Sequence, residues 1–242
     1  ELVRARGVQI VLLAGDLFDG ERVYPETIER LTAALARMGC PVFISPGNHD
    51  FFHPGGVYAK TVWPDNVYIF TTADIRAVEL SRLETVVCGA AFTGPSRTDH
   101  VLSGLHLPKD GRLLLMVLHG DTTAVNSAYG PVTAEEAAAS GLDCLCLGHV
   151  HKKLILDAGT TDCRYPGAPE GRGFDEPGPG GIWLGQLEKG RQEWEFVQVS
   201  RREHHTLELN VTNRDPVTVL RRSIPERAKS DLYRIVFTGE TA

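Results

Sequence analysis

Four short stretches of this 242-residue chain carry side chains able to bind cations and move protons. They read Gly15-Asp16-Leu17-Phe18-Asp19, Gly47-Asn48-His49-Asp50, His119-Gly120 and Gly148-His149-Val150-His151. Asp, Asn and His without thiolates suit Mn²⁺, Fe or Zn²⁺, and poorly suit the all-oxygen shells that Ca²⁺ takes. A carboxylate such as Asp16 has two oxygens and can bridge two cations. Extended backbone sends residues i and i+2 to one side, so His149 and His151 can both reach one metal cluster. Glycines before Asp16, Asn48 and His149 let the chain turn sharply and approach closely. Asp19 either stands behind a ligand or caps a turn. His53, His100, His106, His204 and His205 lie outside these stretches and default to structural roles.

Each stretch follows an apolar run, Val8–Ala14, Val42–Ile44, Leu113–Leu118 and Leu142–Leu147 in turn. The runs are too apolar for half-wet strands and too short for helices, which predicts strands covered on both faces. Ligands in open α/β sheets bind beyond the carboxyl ends of the strands. All four polar clusters fall there. Between the first two runs, Pro25 opens a helix with Ile28, Leu31, Leu35 and Met38 at helical spacing, and Gly39 stops it. Thr133 and Glu136 form a capping-box pattern for a short Ala-rich helix ending near Gly141.

Ile75–Leu80, Thr85–Ala91, Ile182–Leu187 and Glu193–Val199 read as strands joined without long helices, which predicts a second, mixed sheet. The fold class expected is therefore α/β, with two packed mixed β-sheets flanked by helices. Pro166–Gly181 is rich in Gly and Pro and reads as a loop. After about Ser200 the pattern restarts, with strands at Leu207–Val211 and Leu232–Thr238 around a helix at Pro216–Arg222. Residues 1–200 are thus expected to form the core, and 201–242 the start of a small capping domain. The chain opens on Glu1, and Glu1–Arg6 reads as the end of a helix, so the native protein is expected to begin upstream.

Composition narrows the class further. Hydrophobic residues at 42% and charged residues at 23% are ordinary for a globular protein, with no apolar run near the roughly 20 residues of a membrane span. Cys40, Cys88, Cys144, Cys146 and Cys163 form an odd, scattered set that fits a reduced, cytoplasmic protein better than a disulfide framework. Cys144 and Cys146 lie in an apolar run and read as core. The net charge of −6 argues against a protein that coats nucleic acid. From Arg201 onward there are 8 Lys and Arg against 6 Asp and Glu, leaving 17 against 25 before it. An acidic body is also what a cation site needs, so charge alone does not decide.

Taken in order, GDLFD, GNHD, HG and GHVH resemble the calcineurin-like metallophosphoesterases over most of residues 8–165. Within that superfamily the chain is most similar to the SbcD-type exonucleases that repair DNA double-strand breaks. GDLFD, Tyr165-Pro166-Gly167-Ala168-Pro169 and Tyr233-Arg234-Ile235 carry that finer likeness. The resemblance implies a calcineurin-like sandwich and two divalent metals, foremost Mn²⁺. It implies that Asp16 bridges them, that Asn48, His119 and His149 hold one, and that His151 serves the other. His49 would lie beside the scissile phosphate, with Asp50 to orient it. Members also carry an Asp-x-His motif upstream of GDLFD, and this chain does not contain it. Two such metals activate water for in-line attack, so no side chain need be covalently modified. The resemblance also implies DNA as substrate, held by its backbone, a homodimer, and a coiled-coil ATPase partner of the SbcC type. Arg164, Arg172, Arg201 and Arg202 are the candidate DNA contacts.

Three other readings share these residues. Protein Ser/Thr phosphatases carry GDxxDRG and GNHE, whereas Gly20 follows Asp19 here and Asp50 ends the second motif. A small-molecule or cyclic-nucleotide phosphodiesterase shares GNHD and GHxH. A metal-free interaction scaffold is opposed by the intact set of Asp16, Asn48, His49, His119, His149 and His151.

Overall fold

A computed structural model describes residues 1–20, 22–225 and 230–240. A helical turn α1 (Leu2–Ala5) leads into β1 (Val11–Leu13), helix α2 (Pro25–Ala36), β2 (Val42–Ile44), α3 (Val57–Lys60) and β3 (Val67–Ile69). Pro25 occupies the first turn of α2, where its missing N–H costs nothing. Strands β1, β2 and β3 pair in parallel, with Leu12 opposite Phe43 and Phe43 opposite Tyr68. A second sheet contains β4 (Arg76–Leu80), β5 (Thr85–Gly89), β6 (Leu113–His119), β7 (Cys144–Gly148), β8 (Leu154–Ala158) and β9 (Thr161–Tyr165). Its order is β4-β5-β6-β7-β9-β8, mixed in direction, with β6 paired in parallel on both sides. Helix α4 (Ala134–Ala139) precedes β7 and starts on the expected capping box, Thr133 and Glu136 each serving the other's amide.

The two sheets pack face to face, and period-two alternation shows how. Phe43 on β2, Val87 on β5 and Val117 on β6 join Phe70 in one buried cluster, flanked by Leu12 and Val78. The neighbours Val42 and Ile44 point the other way, into a cluster with Leu35 of α2 and Tyr58 of α3. Across the larger sheet, Val86, Cys88, Leu114, Met116 and Leu118 face a third cluster that includes Ala137 of α4. The arrangement is therefore helices, sheet, sheet, helix. Truncating Phe43, 2% exposed, to Ala would cost about 3–5 kcal/mol because it empties the layer between the sheets.

Two expectations change at this level. The four apolar runs do not share one sheet: the first two supply β1 and β2, the last two β6 and β7. An apolar run says that both faces are covered, not which strand lies alongside. The segments expected at Ile182–Leu187 and Glu193–Val199 form β10 (Gly181–Glu188) and β11 (Arg191–Gln198), a separate two-stranded pair rather than part of the second sheet. Sequence reading also passed over β3, β8 and β9, which are short or mixed in polarity.

The chain divides into two compact units, Glu1–Tyr165 with Gln186–Glu193, and Pro166–Gly185 with the residues from Trp194 onward. The expected boundary near residue 200 falls inside the second of these. That unit contains β12 (His204–Asn210), α5 (Pro216–Ser223) and β13 (Leu232–Thr238), with β12 and β13 parallel. Asp215 caps α5 by accepting from the Thr218 amide. No helix among the described residues is long and apolar enough to cross a membrane.

Candidate metal centre

The carboxyl ends of β1, β2, β6 and β7 open onto one place, where the edges of both sheets meet. His119 is the last residue of β6 and is 1% exposed. Its Nδ1 lies 2.8 Å from the carbonyl of Ala14, at the end of β1, and a carbonyl can only accept. The proton is therefore on Nδ1, and the lone pair on Nε2 is turned to the interior of the site. That Nε2 is 3.0 Å from Asn48 Oδ1 and 3.4 Å from Asp16 Oδ2. His149 stands edge-on to His119, ring centroids 5.3 Å apart. Asp16, Asn48, His119 and His149, from four separate strand ends, are thus brought together as expected.

Close backbone approach makes this possible. A Cβ on Gly47 would run into Asp16 Oδ1 and would lie 2.8 Å from the His119 ring. A Cβ on Gly148 would strike the carbonyl of Ala14. Gly15 has φ +80, and a Cβ there would meet Gly47 N at 2.6 Å and Ser45 O at 2.7 Å. Asp16 and His149 themselves have φ of 51° and 99°. Positive φ is costly outside glycine and persists only where surroundings enforce it, so local strain is concentrated on two of the proposed ligands.

Asp50 supplies much of that enforcement, and its role differs from the one expected. Its carboxylate, 5% exposed, accepts from the amides of Asp16, Leu17, Phe18 and Gly47 at 3.1, 2.7, 3.3 and 2.7 Å, and from the Tyr58 hydroxyl at 2.6 Å. Burial, then the adjacent Asp50 charge, drives the Tyr58 pKa well above its ordinary value, so the phenol keeps its proton and donates it. Asp50 ties the Asp16 turn to the Asn48 turn. The carboxylate beside His49 belongs instead to Asp19, whose Oδ1 lies 3.1 Å from His49 Nδ1. The geometry sets Asp19 against His49. His49 and Asp19 side chains are 51% and 72% exposed, so this pair forms the rim of the site. The His49 amide also donates to Asp16 Oδ1 at 3.0 Å.

His151 is solvent-exposed on the loop after β7, near enough that a positive charge on it opposes protonation of His149. Burial lowers the pKa of both His119 and His149; for His149 the proximity of His119 adds to the effect. Both rings are therefore held neutral near pH 7, the form in which imidazole binds metal.

Sequence reading missed residues that the structure places against this group. Asp121, two residues beyond His119, has a carboxylate oxygen 3.9 Å from His149 Nε2. Burial raises its pKa, but hydrogen bonds from Thr123 and Ser127 outweigh that and hold it below the ordinary carboxylate range. Phe92 meets His119 edge-on at 5.5 Å, and the Tyr129 ring lies 5.0 Å from His149. The Tyr165 hydroxyl donates to the Gly120 carbonyl at 2.7 Å and fixes the turn after β6. Asp121 directly follows His119-Gly120, and Tyr165 opens the motif noted after GHVH; Phe92 and Tyr129 left no signal in the sequence. Three of the four arginines expected to touch DNA are paired with carboxylates: Arg164 with Asp162, Arg172 with Glu176, Arg202 with Glu170.

Do these residues suit a divalent cation? Among the described residues, no three His, Cys, Asp or Glu side chains are gathered so as to hold an ion by themselves. The closest gathering includes an amide, Asn48. At its centre, the His119 lone pair faces oxygens of Asn48 and Asp16, all acceptors, and a cation is what such a group lacks. The donor chemistry fits.

The fold and this centre define the class. The family model for calcineurin-like phosphoesterases matches residues 1–153, and the chain belongs to that family, whose members use divalent metal ions. It is also 28% identical over 197 residues to the uncharacterized metallophosphoesterase YhaO of Bacillus subtilis strain 168, covering 78% of this chain. The chain spans about half the length of that curated relative, 48%. Two crystal structures, one of them TT1561 of Thermus thermophilus, overlay on 81% of the chain and 90% of their own. Their TM-scores are 0.49 and 0.46, at 14% and 12% identity, too low to bear on the chemistry.

Proposed function

We propose that this protein is a metal-dependent phosphodiesterase acting on DNA, an exonuclease of the break-repair type. The observation that carries the hydrolase reading is the orientation of His119: its Nδ1 proton is spent on Ala14, which turns its lone pair towards Asp16 and Asn48. Asp16, Asn48, His119 and His149 would hold one ion, foremost Mn²⁺, with Asp16 shared and His151 serving a second. Bound divalent ions supply positive charge to the phosphate oxygens and make water a stronger nucleophile.

The chain's own contribution is position and proton transfer. Asp50 fixes the turns that present Asp16 and Asn48. His49, donating its Nδ1 proton to Asp19, would protonate the leaving oxygen from Nε2 in its doubly protonated form. Gly20 stands where protein phosphatases of this fold carry a phosphate-gripping Arg, which supports a diester over a phosphoprotein substrate. The choice of DNA, and with it a homodimer and an SbcC-type ATPase partner, rests on the resemblance of GDLFD, the Tyr165–Pro169 segment and Tyr233-Arg234-Ile235.

The test compares end-labelled linear duplex DNA with a cyclic nucleotide, each in Mn²⁺. Release of nucleotides from DNA ends is expected; hydrolysis of the cyclic nucleotide with intact DNA would replace this reading by a small-molecule diesterase. Asp16→Ala is expected to lose both metals. Full metal occupancy in that variant would contradict a shared carboxylate.

A further inference from the structure

Immediately after the Asn48-His49-Asp50 turn, three half-buried aromatic residues differ in what they pack against. Phe52 packs with Tyr58 and Trp63 in the cluster beneath α2 and α3, and its amide donates to the Phe92 carbonyl at 2.7 Å. Phe51 and His53, one residue to either side, lie outside the three core clusters. Their rings are 5.3 Å apart at an interplanar angle of 39°. They wall an open pocket with His49, Gly20, Gly56 and Val57. Gly56 is part of the construction. A Cβ there would lie 2.8 Å from the His53 ring, so only glycine lets that ring rest on the backbone at the start of α3.

The chemistry of the wall restricts what it can take. No lysine or arginine occurs among the described residues of its lining, so it is not built for a second phosphate. The Asp50 carboxylate is spent on the Asp16 turn and Tyr58. What remains are the rings of Phe51, His53 and His49, a valine and glycine backbone, which is a surface for a flat, uncharged ring. Its position matters as much. The pocket shares His49 with the metal centre, and His49 is the residue assigned to the leaving oxygen.

We propose that this pocket is the leaving-side subsite, and that Phe51 and His53 stack the base of the nucleoside being released. The inference rests on the phosphodiesterase reading above for which side of the phosphate His49 serves, and it sharpens that reading to substrates whose leaving alcohol is a nucleoside. Stacking on one aromatic pair is worth roughly tenfold in selectivity.

Two measurements test it in the intact chain. In the first, two dinucleotides are compared in Mn²⁺, identical except that the leaving-side residue carries thymine or is an abasic tetrahydrofuran. The wild type is expected to favour the base-bearing one roughly tenfold in kcat/KM. Phe51→Ala should bring the ratio close to one, and Phe51→Trp should preserve it. A wild-type ratio of one overturns the proposal. In the second, saturation transfer from protein to the ring protons of free thymidine is recorded without turnover. Transfer is expected for the wild type and Phe51→Trp and lost in Phe51→Ala, at unchanged circular dichroism; no transfer to the wild type overturns the subsite whatever the enzyme hydrolyses. Transfer without hydrolysis of either dinucleotide or of bis(p-nitrophenyl) phosphate would sink the diesterase reading and leave the ring pocket standing.

Discussion

Two histidines of the candidate site, His119 and His49, live in opposite surroundings. His119 is 1% exposed, held through Nδ1 by the Ala14 carbonyl, with Nε2 facing Asn48 and Asp16. His49 is half exposed and held by one exposed carboxylate. Around His119 lies the floor, made of Asp50, Gly47, Gly148 and Phe92; around His49 lies the rim, with Asp19 and the Phe51–His53 wall. Floor residues are fixed before anything binds, and their bonds also hold the two sheets' edges together. Rim residues bear little on folding, and on the reading proposed above they serve the substrate. Binding and stability should therefore fail together on the floor, and turnover alone should fail on the rim.

The largest expected break is at Asp50. Asp50→Ala leaves the amides of Asp16, Leu17, Phe18 and Gly47 without their acceptor, at a cost of at least about 3 kcal/mol in chemical unfolding, with activity lost as well. His119→Ala should weaken Mn²⁺ binding by roughly a hundredfold or more, read by calorimetric titration. An unaltered affinity would remove it from the floor. His49→Ala should lower kcat by roughly 10²–10⁴ while unfolding stays within about 0.5 kcal/mol of wild type and metal affinity holds. If that variant releases metal, the division between floor and rim is wrong. Tyr58→Phe removes one donor to Asp50 and should cost about 1 kcal/mol, with a smaller loss of turnover than Asp50→Ala.

The smallest effect concerns a pair outside both halves. His100 Nδ1 lies 2.9 Å from Glu136, the residue that closes the α4 capping box, and that hydrogen bond raises its pKa. Because the folded state holds the proton more tightly, the contribution is complete below the ordinary value of about 6.5 and fades as pH rises through the raised one. His100→Gln should flatten that slope in thermal unfolding between about pH 6 and 8.

Much of this was legible in the residues. The runs at Val42–Ile44 and Leu113–Leu118, the Pro25 helix and the Thr133–Glu136 cap appear where their local chemistry places them. Such features depend on neighbours within a few positions, which the sequence displays directly. β3 and β9 were missed because a three-residue strand and a strand holding Asp162 and Arg164 show too little pattern to count. The exchange of roles between Asp50 and Asp19 was illegible for another reason. Both carboxylates stand near His49 along the chain or in motif, and only the path of the backbone decides which one meets its ring.

What the sequence determined by itself was an inventory and a rule of placement: carboxylate, amide and imidazole groups, each directly after a buried strand, with glycines beside them. Tertiary structure decided the rest. It put the four strands in two sheets, set Ala14 against His119 across 105 residues, and forced Asp16 and His149 into left-handed backbone. Those outcomes follow from how two sheets pack through Phe43, Val87 and Val117. A sum of contacts between distant segments sets them, and no local pattern encodes it.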